Sequence, residues 1–506
     1  MQRPLLVSVF IVASCGLAYE LIAGALASYL LGDSVMQFST VIGVYLFAMG
    51  IGSWLSKHVA AASVSGLLVR FIQIELLVGL LGGLSAGLLF LLFTLHAGPF
   101  RFTLYGLVLL IGILVGLEIP LIMRILKREV AFKDLVAQVL TFDYIGALAV
   151  SVLFPLLLAP HLGLVRSALL FGLLNALVAA WALWLFRAQI GTLALLRAQC
   201  IAVIGALALA FGFAGHFVSL AEANLYNEDI VHAESSPYQR IVVTRWRDEV
   251  RLYLNHNLQF SSRDEYRYHE ALVHPGLAAL PGARRVLVLG GGDGMAVREI
   301  LKYPQIDSIT LVDLDPRMTE LFSQSPMLVE LNSGALASKK LAIINADALQ
   351  WLEENREFYD FIVIDFPDPA NFALGKLYTS AFYRLLEKRL SARGLIVVQS
   401  TSPLYARQSF WCVVTTLEDV GFKTAPYHAL VPSFGEWGFI LAGRQDVSIT
   451  STTTVHWPKT RFLTAETLPD LFRFPADMAR VPAEVNQLNN QVLVRYFEAE
   501  WRKVIR

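Results

Sequence analysis

Residues 284–315 read RRVLVLGGGDGMAVREILKYPQIDSITLVDLD. An apolar run, Val286–Leu289, breaks into Gly290-Gly291-Gly292-Asp293-Gly294. A helical segment follows, and a second apolar run, Ile309–Val312, ends on Asp313. Strand, glycine turn, helix and a strand tipped by an acid form the opening of a nucleotide-binding α/β unit. Glycine lets the backbone approach a ligand where a Cβ would obstruct it. An acid about 20 residues beyond the turn can accept both hydrogen bonds of a ribose diol. The stretch predicts a nucleoside-type ligand.

A dinucleotide fingerprint would require a third glycine at position 295, where this chain has Met295. The spacing Gly290-x-Gly292-x-Gly294 fits an adenosylmethionine-type fold instead. The acid that many methyltransferases carry two residues before the first glycine is replaced by Val288; here the acid is Asp293, inside the turn.

The α/β pattern continues downstream, with strands predicted at Leu341–Ile344, Phe361–Ile364 and Leu395–Gln399 and helical stretches such as Ala296–Lys302 and Ala348–Asn355 between. Asp313, Asp347 and Asp365 follow three successive strands. In a parallel sheet such tips share the edge at which ligands bind. After Asp365 come Phe366-Pro367-Asp368-Pro369, a stiff loop with a second carboxylate three residues after the first. Two carboxylates over a ligand suit gripping and deprotonating a cationic amine. Upstream, Ile241–Thr244 and Val250–Leu254 alternate as strands around a turn at Asp248-Glu249, predicting a small antiparallel sheet. Ser261–Ala271 is dense in titratable groups and leads into a helix.

The N-terminal half differs in kind. Across its 506 residues the chain is 56% hydrophobic and only 16% charged, and its first 220 residues are mostly apolar. Apolar runs near 5–31, 38–56, 67–93, 102–123, 139–159, 163–186 and 198–218 each reach the roughly 20 residues that cross a bilayer's hydrocarbon core. About seven spans are predicted. The first lacks the polar cleavage region of a signal peptide, and more spans follow it. Glu20, Glu75, Glu118 and Asp143 fall within the runs, where a carboxylate is costly and hints at function; Glu118 precedes Pro120, which frees a backbone carbonyl nearby. Arg3, Lys57, Arg70, Arg124, Lys127, Arg128, Lys133, Arg187 and Arg197 fall on one side, and Arg101 and Arg166 on the other. With seven spans this pattern puts the N-terminus in the cytoplasm and the polar half outside, at odds with a cytosolic nucleoside ligand.

A formal net charge of zero with no basic stripe argues against a nucleic-acid partner. Cys15, Cys200 and Cys412 have neither metal-type nor disulfide-type spacing, and no metal site is expected. The expected organisation is a polytopic transmembrane α-helical bundle over 1–220 and a polar linker at Ser219–Asp229. A small β-sheet subdomain over 230–280, a Rossmann-like domain over 281–445 and an extension over 446–506 follow. The extension ends in an amphipathic helix at Val492–Trp501 and receives no chemical role.

In this order the motifs resemble the spermidine synthase (polyamine aminopropyltransferase) family, in the membrane-bound bacterial type with an N-terminal multi-span domain. The resemblance covers roughly residues 232–445. It is carried by Ser236-Pro237-Tyr238-Gln239, Leu258-Gln259, Arg263-Asp264-Glu265, Tyr268-His269-Glu270, the glycine turn, Asp313-Leu314-Asp315, Asp347-Ala348, Asp365–Pro369, Tyr378–Tyr383 and Gly435–Phe439. It implies transfer of an aminopropyl group from decarboxylated S-adenosylmethionine, a co-substrate, to putrescine or a related diamine, with no prosthetic group. It also implies a homodimer and a multi-pass place in the inner membrane. By resemblance, Asp313 holds the ribose and Asp347, with Ala348, the adenine amino group. Gln239, His269 and Asp293 contact donor or amine, with Tyr268, Gln259 and Trp437 near the amine. Asp365 is the general base, and Asp368 holds the far ammonium. Asp293 would favour a donor bearing an ammonium and repel the carboxylate of intact S-adenosylmethionine.

The chain departs from the family at Phe366-Pro367, where small hydroxyl residues are usual, at Phe372, at Phe434 in place of a tyrosine, and at Ala348 in place of glycine. These departures bear on the acceptor more than on the donor. Two other readings are another S-adenosylmethionine-dependent transferase, and a polyamine transporter or sensor whose intramembrane acids do more than anchor.

Overall fold

The computed structural model describes residues 2–31, 35–59, 64–94, 100–126, 132–191, 193–226, 228–447 and 457–504. The chain divides into two compact units, Met1–Asp229 and Ile230–Arg506.

The first unit is helical: α1 (Gln2–Leu31), α2 (Val35–Leu55), α3 (Val64–Thr94), α4 (Phe100–Leu126), α5 (Phe132–Leu153), α6 (Ala159–Leu185) and α7 (Leu193–Tyr226). Six stretches are long and apolar enough to cross a membrane by length and composition, where the sequence predicts about seven. The difference lies in Asp134–Leu185, a single stretch of 52 residues because a π turn, Phe154–Leu158, carries helical bonding from α5 into α6. That stretch is broken at Gly163, where φ is +73°. Ser14 Oγ donates to Gly146 O at 3.1 Å, and the next residue, Cys15, donates from Sγ to Phe171 O at 3.5 Å. Gly146 and Phe171 therefore lie at one level of α1, although a straight helix would hold them roughly 37 Å apart. The stretch doubles back, and its two arms are the two segments expected at 139–159 and 163–186.

Small residues set the spacing of these helices, as they do where no water drives apolar faces together. A Cβ on Gly79 or Gly172 would collide with the other's carbonyl, so α3 and α6 touch backbone to backbone. Glu20, Glu75 and Glu118 are buried, and Asp143 is half-buried. Lys127 and Arg128 lie outside the described residues, as do the side chains of Arg3 and Lys133. The polar stretch Ser219–Asp229, expected as a linker, is mostly the end of α7. It contains neither glycine nor proline, and polarity alone does not stop a helix.

The second unit opens with a four-stranded sheet in the order β1 (Asp229–Ser235), β2 (Arg240–Trp246), β3 (Glu249–Leu254) and β4 (Asn257–Ser261). The β2–β3 turn sits one residue earlier than expected, with Arg247 at φ +59°. Glu249 belongs instead to β3, buried and accepting from Ser261 Oγ and Arg251 Nε, both at 2.7 Å. Helix α8 (Glu265–Ala279) leads to the main sheet.

The main sheet contains β5 (Arg285–Gly290), β6 (Ser308–Asp313), β7 (Leu341–Asn345), β8 (Tyr359–Asp365), β9 (Leu390–Gln399), β10 (Lys423–Val431) and β11 (Gly435–Gly443). Its helices are α9 (Met295–Ile300), α10 (Pro316–Gln324), α11 (Pro326–Leu331), α12 (Ala348–Glu354), α13 (Phe372–Gly375), α14 (Ser380–Glu387), α15 (Arg407–Val420) and α16 (Val492–Val504). Strand order is β10-β11-β9-β8-β5-β6-β7. The β9-β8-β5-β6-β7 strands are parallel, and β11 is antiparallel to both neighbours. The β10–β11 hairpin was not among the predicted strands.

Val286–Leu289 and Phe361–Ile364 are fully buried, because central parallel strands are covered on both faces and so read as continuous apolar runs. Val286, Val288, Phe361 and Val363 enter one core; Leu287, Leu289, Ile362 and Ile364 enter the other. With β5 central, the glycine turn and the Asp313 and Asp365 tips meet at one edge.

The extension beyond residue 456 packs on this unit. Glu270 of α8, 1% exposed, accepts the backbone N–H groups of Arg461 (2.7 Å), Phe462 (2.8 Å) and Leu463 (3.0 Å). Glu270→Ala leaves those donors without a partner, at about 1–3 kcal/mol for each that stays buried. Hydrogen exchange by mass spectrometry should show amides 461–463 exchanging at least ten-fold faster, with β5 amides unchanged.

Candidate functional site

Gly290, Gly291 and Gly294 adopt φ of +80°, +68° and +77°, the left-handed region that glycine occupies without strain. The turn packs on the end of β8: a Cβ on Gly290 would strike Asp365 O, and one on Gly291 would lie 3.1 Å from Asp365 Oδ2. On the other side, Gly292 N donates to Asp313 Oδ2 at 3.0 Å. The turn thus lies between the two strand-tip carboxylates.

Asp313 Oδ1 accepts from Asp315 N at 2.9 Å, so each oxygen holds one N–H and keeps a lone pair for a further donor. Burial pushes its carboxyl up to about 6, against the two backbone N–H bonds. Asp315 is a member of this site that the sequence reading quoted but gave no role. Its Oδ2 accepts from Ser236 Oγ (2.7 Å) and Gln239 Nε2 (2.9 Å), docking the Ser236–Gln239 turn at the tip of β6.

Asp347 caps α12, accepting from Leu349 N (2.9 Å) and Gln350 N (3.3 Å), while Oδ2 pairs with Lys376 Nζ at 2.7 Å. Burial would raise its carboxyl, but Lys376 and the capping N–H groups hold it below the usual range. Ala348 is buried at the first turn of α12. Lys376 ties the loop after β8 to the tip of β7, a link that nothing in the sequence pattern indicated.

Asp365 accepts from Tyr268 Oη at 2.5 Å. Burial pushes its carboxyl up to about 6; His269 and Tyr268 oppose the shift, while Asp293 adds to it. Asp293 is also raised, first by burial, although Oδ1 accepts from Met295 N at 2.9 Å. His269 Nδ1 lies 2.8 Å from both Glu265 O and Glu265 Oε2. Glu265 is in turn gripped by Arg298 through bonds of 3.0 and 2.8 Å. Burial alone would lower the His269 pKa, but the Glu265 bond and charge, with Asp293 and Asp365 beyond, raise it. The acids around His269 thus ease its protonation. Glu265 and Arg298, which orient it, were not singled out from sequence as site residues.

Asp368 lies on the loop after β8. Burial pushes its carboxyl up to about 7, with Gln399 and Thr401 acting against the shift, and its Oδ1 accepts no hydrogen bond among the described residues. Gln399 organises the loop: its Nε2 donates to Phe366 O and to Tyr378 Oη (3.1 Å), and its Oε1 accepts from Trp437 Nε1 (3.1 Å). Tyr378 Oη donates to Pro367 O at 3.1 Å. Trp437 thus supports the loop through Gln399. The Phe366 ring enters the core beside Phe382, which accounts for an apolar residue between the two aspartates. Phe434 lies between Tyr268 and Trp437, at ring distances of 6.4 and 5.2 Å. Gln259, on β4, donates to Asn257 O at 3.2 Å, and no hydrogen bond joins it to these carboxylates among the described residues.

The extension braces this loop. Buried Asn486 donates to Gly375 O (3.2 Å) and Tyr378 O (3.1 Å), and Trp501 Nε1 donates to Thr401 Oγ1 at 3.3 Å. Thr401 has φ +36°. The sequence signal for this role is weak, because the partners lie far apart along the chain.

The arrangement offers acceptors at Asp313 and Asp347, and beside them three half-buried acids, Asp293, Asp365 and Asp368, suited to cationic groups.

The profile of the "Spermine/spermidine synthase domain" matches residues 265–452. A spermidine synthase solved in complex with the transition-state analogue AdoDATO aligns with a TM-score of 0.46 at 23% identity, over 49% of this chain and 86% of that one. Polyamine aminopropyltransferase 2 of Ralstonia nicotianae is 59% identical, covering 99% of each chain. The polyamine aminopropyltransferase of Leptospira interrogans is 51% identical over the whole of both chains. The alignments with the Ralstonia and Leptospira relatives include the helical N-terminal unit as well as the α/β unit, and the chain belongs to the polyamine aminopropyltransferase family.

Proposed function

We propose that the second unit transfers the aminopropyl group of decarboxylated S-adenosylmethionine to a diamine, with putrescine the expected acceptor and spermidine and methylthioadenosine the products. In this reading the first unit holds the enzyme in a lipid bilayer as a multi-pass protein. The observation that carries the proposal is the set of half-buried acids Asp293, Asp365 and Asp368 beside the glycine turn. None is ion-paired to a lysine or arginine among the described residues. Three carboxylates sharing a single histidine suit substrates that bring further positive charge.

Asp313 holds the ribose diol through its free lone pairs, and Asp347 receives the adenine amino group. Asp293, with His269 nearby, faces the donor's propyl ammonium. Asp368, through its unbonded Oδ1, takes the far ammonium of the diamine. The near amine arrives protonated and must lose a proton before its lone pair can attack. Asp365, oriented by Tyr268, accepts that proton. The amine nitrogen then forms a bond to the propyl carbon as the carbon–sulfur bond breaks. The bonding pair returns to sulfur, and methylthioadenosine leaves neutral, so no acid is needed on that side. The protein's contribution is alignment, charge and removal of one proton.

Purified full-length protein, supplied with the decarboxylated donor and a panel of diamines, should release methylthioadenosine most rapidly with putrescine or a close homologue. Asp365→Asn should lower kcat by roughly 100-fold or more, the range for loss of a positioned base. Absence of release with every amine would overturn the assignment.

The pH dependence has a definite sign. Asp365, pushed up to about 6, and Asp368, pushed up to about 7, act as carboxylates. Activity is therefore present above these values and is lost as pH falls through them. Tyr268→Phe removes a bond that stabilises ionised Asp365, so the acid limb of kcat/KM, which reports the free enzyme, should move to higher pH. An acid limb that stays in place would show that Asp365 does not set it.

A further inference from the structure

We propose, on the assignment of Asp365 and Asp368 to the two ends of the diamine, that the C-terminal extension sets which diamine is accepted. Asn486 is its positioning residue and fixes the spacing of those two carboxylates. It lies beyond residues 265–452, the stretch that the family profile matches. No hydrogen bond joins it to either carboxylate among the described residues.

The two acids are held in different ways. Asp365 ends β8, pairs in register with Gly290 and accepts from Tyr268 Oη at 2.5 Å. Asp368 follows three residues on, in the loop 366–370, which belongs to no strand or helix. The span between the acids therefore depends on what holds the loop backbone. Tyr378 Oη lies 3.3 and 3.1 Å from the carbonyls of Phe366 and Pro367, the two residues that separate the acids, and its one proton bonds there. Tyr378 is fully buried and ends a 3-10 turn, Lys376–Tyr378. A shift of this turn carries the loop with it.

The turn is pinned from the extension. Asn486, also fully buried, donates from Nδ2 to Gly375 O (3.2 Å) and Tyr378 O (3.1 Å), and its own carbonyl accepts from Ser380 N at 3.0 Å. Carbonyls at the end of a helical turn have no partner within it, and the carboxamide supplies the missing donors. Asn486 is itself fixed. Its N–H donates to Thr416 Oγ1 of α15 at 2.9 Å, and its Oδ1 accepts from Leu493 N of α16 at 3.3 Å. Helix α16 closes on the same turn: a Cβ on Gly375 would lie 2.5 Å from Val494 Cγ2 and 2.6 Å from Gln491 Oε1.

Diamines that differ by one methylene differ in the span of their two nitrogens. A rigid pair of carboxylates favours one span, and a loosened pair tolerates several. The donor side depends less on the pin. Asp347 keeps its capping bonds to Leu349 and Gln350, and Asp313 its bonds to Gly292 and Asp315, without Asn486.

The test is steady-state kinetics of the full-length protein with putrescine and with cadaverine, one methylene longer. The wild type should prefer one of the two by roughly ten-fold or more in kcat/KM, the scale for one methylene. Asn486→Ala should raise KM for the preferred diamine roughly ten-fold and reduce the preference to about three-fold or less, while KM for the decarboxylated donor changes less than about two-fold. Gly375→Ala, which forces α16 away from the turn, should give the same split. Arg480→Ala, which breaks an exposed ion pair of the extension with Glu418, should leave the preference unchanged. Independently of turnover, hydrogen exchange over residues 366–378 should be roughly ten-fold faster in Asn486→Ala, with β5 unchanged. A wild type that uses the two diamines equally would overturn the proposal. Without release by the wild type with any amine, the reaction assignment fails, and diamine selection with it. With release, an unchanged preference in Asn486→Ala, or unchanged exchange over 366–378, would overturn the role of Asn486 alone.

Discussion

The candidate site depends on one constraint: half-buried Asp365 is packed against the backbone of the glycine turn and held by Tyr268 at 2.5 Å. A carboxylate in that position cannot be solvated well, and burial lifts its pKa to about 6. The surroundings respond to it. Gly290 and Gly291 have no Cβ, so the turn can close on it. His269, its pKa raised by the bond to Glu265, which Arg298 in turn grips, opposes the upward shift of Asp365 and Asp293. The loop carrying Asp368 is fastened by Gln399, Tyr378, Asn486 and Trp501 through Thr401. In the proposed reaction, a base that takes a proton from an amine must be fixed in direction, and this support supplies that.

The helical unit follows a different principle. Its helices approach through glycines until backbones touch, as at Gly79 and Gly172, and burial is extensive without large polar networks. Against that background the unbonded Glu75, Glu118, Asn175 and Tyr19 stand out more than they would in the second unit, where nearly every buried acid has a named donor.

Much of the site was legible in the sequence because its signals are local. A glycine turn, an apolar run ending on aspartate and two aspartates three residues apart each lie within a short window, and strand periodicity then places them on one edge. Contacts between distant segments were not legible. Asn486 reaches Gly375 from more than a hundred residues away, and Lys376 reaches Asp347 across three elements. The β10–β11 hairpin escaped notice because β10 carries Pro426 and an irregular burial pattern. The end of α7 read as a linker because composition was weighed above helix propensity. Hydropathy separates two apolar runs within Asp134–Leu185; the π turn that joins them and the break at Gly163 have no hydropathy signal.

The central claim is that the carboxylates around the glycine turn select cationic substrates, with Asp293 matched to an ammonium on the donor. The most direct measurement is calorimetric binding of decarboxylated and intact S-adenosylmethionine to the full-length protein and to its Asp293→Asn variant. The account predicts that the decarboxylated form binds the wild type at least roughly ten-fold more tightly, about 1.4 kcal/mol, and that the preference largely disappears in the variant. Equal affinity of the wild type for the two nucleosides, or a preference that survives Asp293→Asn unchanged, would contradict it.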